Sequence, residues 1–219
     1  IMQKLNEARD WDVFEHEILP DILKKMTSVS EHEPIQQATL ATIQDIAIKT
    51  RQRTQKKLHH IEFTVLILAI ERHLMALSSH TEMTTKEHIQ QWATKILEDR
   101  WQVLHRCCQG LTTQTGAKRH QARIAAKKMR YAADTLFSLF NRKNPQRFTE
   151  MLANLQDELG YTNDRRVALQ LLQQVAQKKG SAAFDLGRFS GTLEIETLQR
   201  EHQSSDAWRS LSRMKLFWR

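Results

Sequence analysis

Between residues 117 and 130 the sequence reads "AKRHQARIAAKKMR": Lys118, Arg119, Arg123, Lys127, Lys128 and Arg130 with His120, and no carboxylate. Such a set does anion chemistry. The arginine fork takes two phosphate oxygens at once, and lysine adds a point charge. At about 100° per residue, His120, Arg123, Lys127 and Arg130 fall within roughly an 80° arc of one helix. Arg119 stands at the edge of that arc, Lys128 flanks it and Tyr131 sits near its start. Ala122, Ala125, Ala126, Met129, Ala133, Leu136 and Phe140 gather on the opposite side, where they form a face for packing. Like charges at i, i+3 and i+4 repel by a few tenths of a kcal/mol each, so the row implies either screening by solvent or a bound anion. Small alanines let the helix approach its neighbours closely, and that favours charge lining a cleft.

The wider charge pattern agrees. The 219 residues carry a net charge of +8, yet residues 1–48 hold nine acids against four bases, so the remainder is strongly basic. Residues 49–57 hold five bases and no acid. This asymmetry points to a polyanionic partner: nucleic acid, anionic lipid or a phosphate polymer. Arg51, Arg53, Lys56 and Lys57, and Arg100 and Arg106, are secondary basic candidates.

Other chemistries find little support. Ten histidines occur, but no H-E-x-x-H and no cysteine pair at zinc spacing; Cys107 and Cys108 are adjacent. No metal site is expected. "DWD" at 10–12 and "ND" at 163–164 read as helix caps or braces. "EIE" at 194–196 is similar to the Glu-x-Glu-x-Lys of triphosphate tunnel enzymes, but Leu198 stands in the lysine position. A phosphate loop of the GxxxxGK type is missing, so no catalytic residue and no cofactor is assigned. The longest apolar run, "FTVLILAI", falls well short of the roughly 20 residues that span a bilayer. The first 20 residues lack the apolar core of a secretory signal, and a cytoplasmic location is expected.

The elements that must hold the basic row are helices. Six glycines and three prolines, with abundant Gln, Leu, Ala, Lys and Arg, predict an all-α chain. A first helix ends near Pro20 or kinks through it, because proline lacks the backbone donor. "SVSEHEP" reads as a loop, with Pro34 near the start of a helix that runs to about Leu58. "IEFTVLILAIERHLMALSS" is apolar nearly all round and is expected to be deeply buried. A long helix follows, with Thr84 or Thr85 as N-cap and Gly110 beyond its end. After the basic helix at 117–140, a helix runs from Pro145 to about Leu159. "GYTND" reads as a break, with Asn163 or Asp164 capping the next helix, and "KKGS" at 178–181 precedes a helix across 182–202. Trp92, Trp101, Trp208 and Trp218 read as core or bundle-edge packing. A short internal repeat aligns "LNEARDWDV" at 5–13 with "LGYTNDRRV" at 159–167, at an offset of 154 positions.

"HQARIAAKKMRYAAD" at 120–134, followed by "LQDELGYTNDRRVALQLL" at 155–172, resembles the second half of a CHAD domain, the conserved histidine α-helical domain. The matching positions are His120, Arg123, Lys127, Lys128, Arg130 and Tyr131, then Leu155, Gln156, Asp157, Leu159, Gly160, Asn163 and Asp164. "LNEARDWDV" resembles the corresponding element of the family's first half. The resemblance implies two antiparallel helical bundles related by pseudo-twofold symmetry. Residues 1–110 would form most of the first half, incomplete at its N-terminus, and 111–219 the second. The basic helix of the first half is not in this sequence.

The ligand implied is inorganic polyphosphate, held in a basic groove or pore without catalysis. The implied partners are a triphosphatase domain or proteins of polyphosphate granules. His120, Arg123, Lys127, Lys128, Arg130 and Arg119 are the expected contacts, with Arg51 and Arg100 added by their place in the family's pattern. Polyphosphate offers no base edges to read, and the basic stretch has only Tyr131 for stacking. That favours a phosphate polymer over single-stranded nucleic acid. A helical nucleic-acid-binding module and an accessory domain of a triphosphatase remain the alternative expectations.

Overall fold

The computed structural model describes residues 2–27, 37–58, 61–78, 85–114, 116–140, 145–178 and 182–219. Every regular element among them is helical: α1 (Met2–Val13), a π-helical turn (Phe14–Ile18), α2 (Leu19–Thr27), α3 (Gln37–Leu58), α4 (Ile61–Ser78), α5 (Lys86–Cys108), α6 (Gly116–Leu136), α7 (Pro145–Lys178) and α8 (Ala183–Ser212), with 3-10 turns at Leu111–Thr113 and Phe137–Leu139. No helix among the described residues is long and apolar enough to cross a membrane.

The chain forms two compact units that do not follow chain order. One contains 1–82 and 164–196, the other 83–163 and 197–219. Thus α5 and α6, on either side of residue 110, belong to the same unit, while α7 and α8 each contribute to both.

In the first unit, Trp11, Phe14, Ile18 and Ile22 recur at helical spacing through the α1–π–α2 segment. They pack with Ile43, Ile46 and Ala47 of α3, Ala168, Leu171, Leu172 and Val175 of α7, and Leu186, Phe189 and Leu193 of α8. Pro20 does not end this helical run. The Leu19 amide donates to the Phe14 carbonyl, an i to i−5 bond, so a π turn immediately precedes the proline. A proline inside an α-helix removes a donor and crowds the carbonyl four residues back, and a local widening of the helix absorbs both effects. Several polar groups of this unit pair among the described residues. Arg165 Nε donates to Glu196 Oε2 at 2.8 Å, Lys25 donates to Glu196 Oε1 at 2.5 Å and to Asp21 at 2.7 Å, and the buried Thr39 hydroxyl donates to Asp185 at 2.7 Å.

α4 departs from expectation. Its side chains from Thr64 to Ala76 are exposed, among them Val65, Leu66, Ile67, Leu68, Ile70, Leu74 and Met75. An apolar composition all round states a demand for burial. Whether that demand is met depends on which elements pack against the helix, which composition cannot reveal.

The second unit is built on α5 and α6. Ala93, Leu97, Trp101, Leu104 and Cys108 of α5 meet Ala122, Ala125, Ala126, Met129 and Ala133 of α6. Phe148, Leu152, Leu155 and Leu159 of α7, Leu211 of α8, and Phe217 and Trp218 of the tail close this core. Phe148 and Trp218 stand edge to face, 5.2 Å between centroids at 88°. The Trp218 indole donates to Glu98 at 3.2 Å. Trp92 is the exception among the tryptophans assigned to packing: it is 59% exposed.

Helix ends follow local chemistry in places. The Thr85 hydroxyl accepts from the His88 amide, capping α5, and Gly110 takes φ +69° just past its end, the left-handed region open to glycine. At "GYTND" there is no break: α7 runs unbroken from Pro145 to Lys178. Asn163 and Asp164 are therefore mid-helix residues and cap nothing. α8 likewise continues to Ser212 rather than stopping near 202. The "SVSEHEP" loop, Pro34, Thr84 and most of "KKGS" lie outside the described residues.

Candidate functional site

The basic row is carried by α6, and the packing of that helix sets its position. Ala122, Ala125, Ala126, Met129, Ala133 and Leu136 are buried, as the spacing predicts. Gln121, Ile124, Lys128, Tyr131 and Thr135 are exposed. His120, Arg123, Lys127 and Arg130 lie between these two faces, and all four are half-buried. The row therefore runs along the edge of the packed face. With 1.5 Å of rise per residue it extends about 15 Å.

Each member has distinct surroundings. His120 Nδ1 lies 3.0 Å from Oδ1 of Asn163 on α7. The Lys127 ammonium stands 5.6 Å from the centroid of the exposed Tyr131 ring, a cation–π distance worth about 0.5–1 kcal/mol where solvent reaches. Arg130 lies 3.5 Å from Asp134, one turn on. Such an exposed i, i+4 pair contributes only about 0.3–0.5 kcal/mol, so a multivalent anion competes with it readily. Lys127 and Lys128 form no ion pair among the described residues.

Two of the expected contacts are occupied elsewhere. Arg119 is 9% exposed. Its Nη1 donates to the Leu111 carbonyl at 2.9 Å, and its Nη2 to the Ser204 hydroxyl at 2.9 Å and the Glu201 carbonyl at 3.4 Å. Its position at the edge of the arc carries it into the interior of its unit, where it braces α6 against the 3-10 turn and α8. Arg51 belongs to the other unit. Its Nε donates to Asp12 at 2.5 Å, and its Nη2 reaches Glu15 and lies 3.2 Å from His16. The Asp12 hydrogen bond, joined by Glu15 and working against partial burial, raises the Arg51 pKa. Asp12 of "DWD" is thus a brace, as expected, and its partner is Arg51. Arg100 is exposed on α5 and forms no ion pair among the described residues.

Asn163 stands in the internal repeat and in the family motif, where it reads as a cap or brace; it caps nothing, and its contact with His120, which depends on α6 and α7 lying side by side, is the bracing part of that reading. Elsewhere, Cys108 is buried, and burial pushes its thiol up to about 12, so it is inert as a nucleophile. Among the described residues no group of three or more His, Cys, Asp or Glu could hold a metal ion. Glu196 of "EIE" serves the ion network with Arg165 and Lys25.

Comparison with known proteins gives a coherent result. The model of the CHAD domain family matches residues 1–173. A search of curated proteins finds no match. Among solved structures, the crystal structure of the CHAD domain from the plant Ricinus communis is similar at 25% sequence identity. The TM-score is 0.77, covering 97% of this chain and 69% of that one. With its all-helical build, its His120–Tyr131 motif on α6 and a family match over most of its length, the chain belongs to the CHAD domain family.

Proposed function

We propose that this chain binds inorganic polyphosphate through α6, without catalysing a reaction on it. His120, Arg123, Lys127 and Arg130 are the ligand row, Lys128 flanks it, and Arg100 is a secondary contact. The observation that carries this reading is the half-buried line of these four residues along one edge of α6, in a stretch without acids until Asp134. Half-burial brings a linear anion close to the packed face, where water competes less than on an open surface. Arg119 and Arg51 are left out, because their guanidinium groups already serve the interior of one unit and an acid pair in the other.

A polymer with about one charge per phosphate binds such a row through release of counterions, and its affinity falls steeply with salt. Holding the polymer without hydrolysing it fits a cytoplasmic role beside a triphosphatase domain or at polyphosphate granules. The test is a titration with polyphosphates of several lengths at two ionic strengths. The Arg123→Glu, Lys127→Glu, Arg130→Glu triple variant is expected to lose binding while keeping its helicity by circular dichroism. Persistent binding would refute the site. Competition with single- and double-stranded nucleic acid at matched salt should favour polyphosphate; preference for nucleic acid would replace this reading. Phosphate release by the chain alone should be undetectable.

A further inference from the structure

His120 carries two ring nitrogens, and among the described residues only Nδ1 has a hydrogen-bond partner. Nδ1 lies 3.0 Å from Oδ1 of Asn163. An amide oxygen accepts hydrogen bonds and cannot donate them, so a hydrogen bond in this contact requires the Nδ1–H form of the ring. We propose that Asn163 is a positioning residue: by accepting from Nδ1–H it fixes the ring plane of His120, and it leaves the Nε2–H that the imidazolium carries to meet the phosphoryl chain. The proposal rests on the polyphosphate reading above.

Asparagine is an unfavourable choice for the middle of a helix. It has weak helix propensity, and its side chain tends to bond nearby backbone. Yet position 163 lies well inside the unbroken α7. Here the side chain reaches across to α6, and both residues are half-buried. Half-burial strengthens such a bond by lowering the local dielectric. Aspartate would accept the same hydrogen but would set an anion beside the row, repelling phosphate. Leucine would fill similar space without accepting. Of the three, asparagine alone orients the imidazole while staying neutral. With Nδ1 engaged, Nε2 of the charged ring can donate to a phosphoryl oxygen as one more contact in line with Arg123 and Lys127.

The test uses the whole chain labelled with ¹⁵N, and long-range ¹H–¹⁵N correlation of the His120 ring well above neutral pH, where both tautomers are distinguishable. The unliganded protein and Asn163→Asp should show the Nδ1–H form, and Asn163→Leu should lose that preference. In titrations with long-chain polyphosphate at fixed salt, Asn163→Leu should weaken binding about two- to tenfold, the size of one hydrogen bond. In a His120→Gln background the same change should have no effect, because its influence passes through the ring. Asn163→Asp should weaken binding while keeping the tautomer.

An Nε2–H ring in the unaltered protein, or an equal loss from Asn163→Leu in both backgrounds, would overturn the assignment even though polyphosphate binds. The expected tautomer with no polyphosphate binding at all would overturn the ligand-facing role together with the reading beneath it.

Discussion

Replacing Lys127 with glutamine isolates the electrostatic part of the reading. The row and its flank supply Arg123, Lys127, Lys128 and Arg130 as permanent cations. With about 0.7 counterions released per neutralised phosphate, the value for a flexible single strand, these four cations give a slope of log affinity against log salt near −2.8. Raising salt fourfold from about 50 mM then lowers affinity roughly 50-fold. Lys127→Gln should make the slope shallower by about 0.7.

The folded state should tolerate the change. Lys127 forms no ion pair among the described residues, and its removal relieves like-charge repulsion with Arg123 and Arg130 of a few tenths of a kcal/mol each. The matched control is Lys57→Gln on α3, an exposed lysine in the other unit. Isothermal titration with long-chain polyphosphate across a salt series reads both slopes, with circular dichroism as the check on folding. Equal slope changes for the two variants would refute a localised row and leave only diffuse attraction to a basic protein.

Three further outcomes follow from the structure. Arg119→Ala should cost more stability than any change in the row, about 2–3 kcal/mol in urea unfolding. It removes charge-assisted hydrogen bonds to Leu111, Ser204 and Glu201 that lie in the interior, and the slope of binding against salt should be unchanged. Gly160→Ala and Gly191→Ala should each stabilise by about 0.5–1 kcal/mol, because a Cβ at either helical position meets nothing within 4 Å; Gly110→Ala at φ +69° should destabilise, and thermal melts distinguish the signs. The Arg219 hydrogen bond, aided by Trp218 and Gln102 against the cost of burial, holds the Glu98 carboxyl at about 2, below the ordinary 4.5 of a glutamate. This stabilisation is complete above about pH 4.5 and disappears as pH falls through about 2. Arg219→Ala should therefore lose less stability than the unaltered chain across that acid window in urea titrations.

The sequence by itself determined the helical class, the α6 face and the family. Those signals are local: periodicity places Ala122, Ala126, Met129 and Ala133 on one side whatever packs there, and the His120–Tyr131 motif is contiguous. Capping by Thr85 and the left-handed Gly110 were legible for the same reason. Tertiary structure decided what local rules leave undetermined. "GYTND" has the composition of a break, yet α7 passes straight through it, because Leu155, Leu159, Ala168 and Leu172 bury on both sides of it and outweigh weak propensity. Arg119 and Arg123 are alike by type and lie four residues apart, but only Arg119 meets Ser204 and the carbonyls of Leu111 and Glu201, because α8 happens to lie there. α4 shows the converse, an apolar stretch that packing leaves exposed. Charge and periodicity declare what a side chain needs, and only the arrangement of distant segments decides which neighbour meets that need.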